Sequence, residues 1–330
     1  MKQYRSRLAG TGSFLPEKRL SNKDLEQLVE TSDQWIHERT GIRYRRVAES
    51  GVNTSDLAFE ASKRALEAAS LTAKDIDMIL VATNSGDQPM PNTACVLQTK
   101  LGARDCMAVD IAAACTGFVY GYAICDQFIR SGTYKNILVT GAEVLTRFVN
   151  YKERDTCILF GDGAGAAVIS RAGEDQDSQV HSVNLRADGR ISDLFVLPAG
   201  GSALPFSQAV IDENKQYMRM RGREIFKHAV RTMSEACEKA LEGAGMTPDQ
   251  VSWVVPHQAN LRIIEAVAKH FGIPMDKVVV EIEDVGNTSA GTVIIALDRA
   301  IRDGRIQRGQ NLLLTAFGAG ITSGSILMRY

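Results

Sequence analysis

The sequence predicts an α/β protein of two similar halves packed as one body, and three observations predict it. The chain matches itself: Ala65–Val81 lines up with Ala240–Pro256 at an offset of 175, and both stretches read helix, turn, buried strand. Further on, Asp126–Gly132 lines up with Asp298–Gly304 at an offset of 172, and Ile137–Thr140 then pairs with Leu312–Thr315. Finally, short Val/Ile/Leu runs alternate with helical patterns, as in βαβ units whose sheets are covered by helices.

A length of 330 residues fits roughly two domains. The polar, turn-forming stretch Arg171–Ser178 places the boundary between halves at 1–174 and 175–330. Pro198–Gln208, rich in Gly, Ser, Ala and Pro, reads as a surface loop. With 38 basic against 39 acidic residues and no Lys/Arg block, binding to a nucleic acid backbone is not expected. The longest uncharged apolar stretch, Ile111–Cys125, has 15 residues, short of the ~20 that span a bilayer, and is expected to be a buried helix. No secretory signal pattern follows Arg5 and Arg7, so the expected location is the cytoplasm. Six cysteines without a C-x-x-C pair point to reduced thiols, mostly buried, and to no metal cage.

The duplication also singles out residues. The 172 offset carries Cys115 onto Asn287, each after a strand-like run (Met107–Ile111; Val278–Ile282) and each opening an apolar helix. The 175 offset puts His257 after a strand, matching Ala82. In Asp110-Ile-Ala-Ala-Ala-Cys115-Thr-Gly-Phe, small residues around the sulfur suit a tight strand-to-helix turn that exposes a nucleophile. A helix N-terminus there is expected to lower the thiol pKa toward neutrality. His257, in Val254-Val-Pro-His-Gln-Ala-Asn260, stands at a strand's C-terminal edge, where ligands bind in such sheets. Asn287 would otherwise be a helix cap, and Cys115 alone a small buried hydrophobe. His37, His181, His228 and His270 are assigned structural roles. Gly161-Asp-Gly-Ala-Gly-Ala166 leads into a strand instead of a helix, so it reads as a glycine turn supporting the site and not as a dinucleotide fingerprint.

Together, Asp110–Phe118, Phe160–Ala166, Pro256–Arg262 and Gly286–Ala290 resemble the β-ketoacyl-acyl carrier protein synthase III family, over essentially the whole chain from Thr31–Ile36 to Ala316–Gly320. The resemblance implies the thiolase fold, with duplicated halves in a five-layered αβαβα arrangement, and a homodimer. It implies that an acyl-CoA, with acetyl-CoA as the expected starter, acylates Cys115, after which malonyl-acyl carrier protein is decarboxylated and condenses to 3-oxoacyl-acyl carrier protein, initiating fatty-acid synthesis. His257 and Asn287 would stabilise the enolate. The backbone N–H groups of Cys115 and Ala319 would hold the acyl-transfer oxyanion. Coenzyme A would meet Thr31, Trp35, Arg39, Arg154, Gly222 and Asn260, and the carrier protein Gln258, Ala259, Asn260, Leu261, Arg262, Lys227 and Lys269. Met90 would close the acyl pocket across the dimer. Coenzyme A thioester enters as substrate, and no cofactor or metal is implied.

Departures concern the starter group. This chain has Gly318-Ala-Gly320 and Ser323 where the family commonly carries three glycines and a Trp, Gly291 replaces Ala or Ser, and Met90 is a flexible residue. Phe317–Ile321 lacks the second Cys of a biosynthetic thiolase. A Cys-His-Asn hydrolase would need water at a thiol that lies in apolar sequence. A ketide-forming or acyl-transfer synthase of specialised metabolism keeps the same three residues. A silent dimeric binding protein need not.

Overall fold

The apolar runs of each half assemble into one sheet. In the computed structural model, residues 4–174 and 176–330 are described. Strands β1 (Ser6–Phe14), β2 (Met78–Ala82), β3 (Met107–Ile111), β4 (Asn136–Glu143) and β5 (Gly163–Arg171) form the first sheet in the order β1-β5-β4-β2-β3. The second contains β6 (Gln179–Ala187), β7 (Trp253–Pro256), β8 (Asn311–Gly318) and β9 (Thr322–Arg329) in the order β7-β8-β9-β6. In the first sheet β4, β2 and β3 are parallel, in the second β7 and β8, and the other two strands of each sheet join them antiparallel. The strand boundaries Met78/Trp253 and Asn136/Asn311 reproduce the 175 offset. The residue at the expected boundary, 175, lies outside the described residues.

Helices follow the strands, beginning with α1 (Asp33–Thr40), α2 (Thr54–Ala68), α3 (Thr93–Leu101) and α4 (Gly117–Arg130). The second half adds α5 (Gly222–Ala244), α6 (Leu261–His270) and α7 (Thr292–Arg302). Helices α2 and α3 cover the outer face of the first sheet, α5 and α6 the outer face of the second, and α4 and α7 fill the space between the sheets, giving five layers, αβαβα, of the thiolase fold. All eight residues of β4 are buried, as expected of a strand covered on both faces. Helix α7 is apolar nearly all round, with Val293 to Leu297 buried, which fits a central helix. Among the described residues, no helix is long and apolar enough to cross a membrane. The expected buried helix over 111–125 is shorter at its start, because Ile111 ends β3 and α4 begins only at Gly117.

Buried aspartates at the 172 offset dock both central helices on β1. Asp126 of α4 accepts from Ser6 Oγ at 2.6 Å, and Asp298 of α7 accepts from Thr11 Oγ1 at 2.8 Å and Ser13 Oγ at 2.6 Å. The outward carbonyls of β1 are occupied by arginines: Arg308 reaches Leu8 O and Ala9 O, and Arg302 reaches Thr11 O.

The structure corrects two expectations. Val278–Ile282 is no strand: it touches β7 through the Val254–Val278 bridge and the Val279 N–H to Val254 O bond at 2.9 Å. The Gln258 side chain replaces the missing ladder. Its Nε2 donates to Pro256 O at 2.8 Å and Val279 O at 3.0 Å, and its Oε1 accepts from Glu281 N at 2.8 Å. Cys115 and Asn287 are also not equivalent. The turns before the central helices, Ala114–Thr116 and Ser289–Gly291, match at 175, with positive φ at Ala114 (47°) and Ser289 (49°). The counterpart of Cys115 is therefore Ala290. The 172 offset arises inside the helices, since α7 has 11 residues and α4 has 14.

The two turns meet at the molecule's centre. A Cβ on Gly141 of β4 would lie 2.2 Å from Ala290 O, and one on Gly117 would lie 2.9 Å from Ala82 Cβ. Gly141→Val should therefore force the second half away from β4, costing about 3 kcal/mol or more. Thermal denaturation should show a melting temperature lower by about 5 °C or more; an unchanged midpoint would show that the approach is not constrained.

Candidate active site

The parallel strands aim their C-terminal ends at the interface between the halves, where ligands bind in such sheets. Cys115 follows β3, His257 follows β7, and Ala319 follows β8. Asn287 lies on the segment leading to α7, bound through backbone contacts to the Phe160–Gly161 stretch: its N–H donates to Leu159 O at 2.9 Å, and its carbonyl accepts from Gly161 N at 3.0 Å. The glycine turn thus supports the site as expected. Asp162 anchors it by accepting from Ala48 N, Thr146 N and Thr146 Oγ1, and a Cβ on Gly161 would lie 2.7 Å from Val285 O.

Hydrogen bonds link these residues. Asn287 Oδ1 accepts from Ser289 N at 2.8 Å, Thr292 Oγ1 bonds Ser289 O at 3.0 Å, and the same hydroxyl bonds His257 Nδ1. The turn Ser289–Gly291 packs on the turn Ala114–Thr116 that holds Cys115 and on β4, which ends in Glu143. On the other side, Thr116 Oγ1 pairs with Thr322 Oγ1 at 2.8 Å, and Gly318 is so close that a Cβ there would lie 2.8 Å from Cys115 N. Cys115, His257 and Asn287 are all buried. A cavity of about 130 Å³ leads to this cluster between Asn84, Ala114, Phe148, Phe160, Ser289 and Ala319.

Burial dominates the electrostatics. It pushes the Cys115 thiol up to about 12, against the opposing pull of the Ser289 hydroxyl, and Glu143 pushes it further up. This reverses the expected lowering, since the dipole of a helix start is too weak to offset complete desolvation. Burial also pushes His257 down to about 3, so its imidazole is neutral. All six cysteines are free, with Cys125, Cys157 and Cys237 buried as fillers. Among the described residues, no group of three His, Cys, Asp or Glu is arranged to hold a metal ion.

Comparison with known proteins agrees with this geometry. The chain matches the family models for 3-oxoacyl-[acyl-carrier-protein] synthase III over residues 109–189 and for its C-terminal part over 241–330. It is 49% identical over 323 residues to the β-ketoacyl-[acyl-carrier-protein] synthase III of Caldanaerobacter subterraneus subsp. tengcongensis, covering 98% of this chain and 97% of the relative. The chain belongs to the β-ketoacyl-acyl carrier protein synthase III family. A crystal structure of a synthase III from Aquifex aeolicus superposes with a TM-score of 0.91 at 44% identity, covering 98% of this chain and all of that one. A priming β-ketosynthase from a polyketide biosynthetic pathway superposes with a TM-score of 0.91 at 33% identity, covering 99% of this chain and 97% of that one.

As a member of the synthase III family the chain is an acyltransferase, and the remaining expected residues sort by position. Around α1, the Arg154 guanidinium lies 4.5 Å and that of Arg39 5.1 Å from the Trp35 ring centroid. Arg154 and Trp35 leave no room between them for a purine, which needs about 7 Å at two van der Waals contacts. Thr31 Oγ1 is buried without a hydrogen-bond partner, and an open polar cavity of about 650 Å³ lies between Leu28–Glu30 and Lys152–Asp155. Gly222 begins α5, and Asn260 caps α6 by accepting from Arg262 N at 2.9 Å. Arg262, Lys227 and Lys269 are exposed on α5 and α6, and Ala259 and Leu261 are half-buried. Gln258 is only 2% exposed, so it does not belong to a docking surface. Met90 is 84% exposed and does not line the cavity of its own chain.

Sequence reading missed Ser289, Thr292 and Glu143. The signal for Glu143 was a lone carboxylate ending an otherwise uncharged strand, and for Ser289 its place in the turn equivalent to that of Cys115. Gln258→Leu would orphan two carbonyls and an N–H beside His257. It should cost about 3 kcal/mol and lower turnover, with KM for the carrier protein unchanged. A raised KM with normal stability would instead return Gln258 to the docking surface.

Proposed function

We propose that Cys115 accepts the acyl group of an acyl-CoA, expected to be acetyl-CoA, and that His257 and Asn287 stabilise the enolate formed as malonyl-acyl carrier protein loses carbon dioxide. The observation that carries this reading is the joining of neutral imidazole and carboxamide through Thr292 and Ser289, in a buried turn packed on the turn that holds the buried Cys115 thiol. Decarboxylation supplies the carbanion, so the site needs hydrogen-bond donors on the thioester oxygen and no strong base, metal or redox group. The backbone N–H groups of Cys115 and Ala319 serve the tetrahedral oxyanion of acyl transfer.

Thr292 orients the imidazole. Its hydroxyl donates to Ser289 O at 3.0 Å and pairs with His257 Nδ1, which fixes the ring and turns Nε2 away from Thr292.

Trp35 and Arg154 part to admit adenine, opening an exposed cation–π contact that costs about 1 kcal/mol. Thr31, Arg39, Gly222 and Asn260 line the way to Cys115, while Ala259, Leu261, Arg262, Lys227 and Lys269 form the carrier-protein surface. A homodimer is supported by the half-exposed apolar edge strand β3, with Met107 40% exposed, and by Met90 at 84%, which would complete the partner's acyl pocket; the expected location is the cytoplasm. The likeness to a priming β-ketosynthase favours a second reading, in which the same chemistry primes a ketide pathway. Rates with malonyl-carrier protein against malonyl-CoA, and with a panel of acyl-CoA starters, separate the two.

Cys115→Ser should lose acylation by acetyl-CoA in intact-protein mass spectrometry. His257→Ala and Asn287→Ala should still acylate but condense about 10²–10³-fold more slowly; wild-type condensation by either would refute its assigned role. With the His257 pKa at about 3, imidazole protonation is negligible at working pH. Single-turnover condensation from preformed acyl-enzyme should show no histidine titration between about pH 5 and about pH 8.

A further inference from the structure

The cavity beside the Cys115 turn is larger than the expected starter, acetyl, needs. It measures about 130 Å³ and is lined by Ala114, the residue before the thiol, and by Ser289 and Ala319. Leu145, Phe148, Phe160, Phe195, Val196 and Met218 supply its apolar wall. Among the described residues, no charged side chain lines it.

Both halves contribute to this wall, and its parts are tied to one another. The Phe160 and Phe195 rings stack with their centroids 5.7 Å apart. The Met218 N–H donates to Phe148 O at 2.8 Å, and Phe195 and Val196 pair with Met220 and Arg219 in a short antiparallel ribbon. Leu145, Phe160 and Met218 are buried. A close-packed wall of this kind yields little, so the volume it encloses selects what can enter. An apolar cavity of about 150 Å³ lined by Leu, Ile and Phe takes up benzene, with its six carbons, so a space slightly smaller holds about five non-hydrogen atoms. Acetyl would leave more than half of it vacant, and the atoms lining a void lose their contacts on that side.

We propose that the starter is an uncharged aliphatic acyl group of about four or five carbons, straight or branched, carried on coenzyme A. This rests on Cys115 being the acyl acceptor and extends that reading to what the thiol accepts. The bond from Cys115 sulfur to the acyl carbon forms, the C–S bond of the thioester breaks, and the Cys115 proton leaves on the coenzyme A thiolate. The alkyl chain then occupies the cavity, each buried methylene favouring it by about fourfold. A terminal carboxylate would be stripped of water there with no partner, which excludes a dicarboxylic acyl group of the same length. A chain of eight carbons exceeds the space.

The test is the second-order rate of Cys115 acylation by acetyl-, butyryl-, isovaleryl-, succinyl- and octanoyl-CoA, followed by intact-protein mass spectrometry with peptide mapping. Butyryl- and isovaleryl-CoA should react about tenfold faster than acetyl-CoA, and succinyl- and octanoyl-CoA about 100-fold more slowly than butyryl-CoA. Val196→Phe, which adds a ring to the wall, should lower the isovaleryl-to-acetyl ratio about tenfold. Phe148→Ala, which removes one, should raise the octanoyl-to-butyryl ratio about tenfold. Acetyl-CoA reacting as fast as the four- and five-carbon thioesters, or faster, would overturn the proposal, as would succinyl- or octanoyl-CoA matching butyryl-CoA. Unchanged ratios in both variants would put the chain outside this cavity and overturn it as well. A wild-type protein that takes no acyl group at Cys115 from any of these thioesters would instead refute the proposed function.

Discussion

The approach of Ala290 to Gly141 is the constraint on which the site depends. It presses the turn before α7 into a sheet of the other half at a distance no side chain would permit. From there the turn at Ser289 packs against the turn of Cys115 and against β4, Asn287 is held beside the glycine turn, and Thr292 meets His257. The site is thus a product of how the halves meet. Neither half contains it.

That meeting is dry, and dryness sets the chemistry. A thiol with a pKa near 12 and an imidazole with a pKa near 3 are both uncharged at rest. Such a site offers hydrogen-bonding groups instead of charges, in a medium where each counts for more than in water. Left-handed backbone at Ala114 and Ser289, worth about 1–3 kcal/mol each in a non-glycine residue, is a strain that the surrounding contacts must hold in place.

The architecture was legible because duplication writes itself twice: the offsets located both sheets, both central helices and the docking aspartates Asp126 and Asp298. The candidate trio Cys115, His257 and Asn287 was legible as residues but not as geometry. A three-residue difference in helix length shifted the apparent match from Ala290 to Asn287. No linear pattern reveals that Gln258 turns inward to stand in for a strand, or that complete burial overrides a helix dipole at Cys115. Both follow from contacts between segments far apart in sequence.

The substitution of one amide side chain for a strand beside β7 has a consequence for how copies of this chain associate. Arginines occupy the outward carbonyls of β1 and Gln258 fills in beside β7, whereas β3 keeps a half-exposed apolar border. Strand β6, the fourth margin, is half-exposed as well, so it is along β1 and β7, where arginines and an amide stand in for a neighbour, that a foreign strand finds groups already engaged.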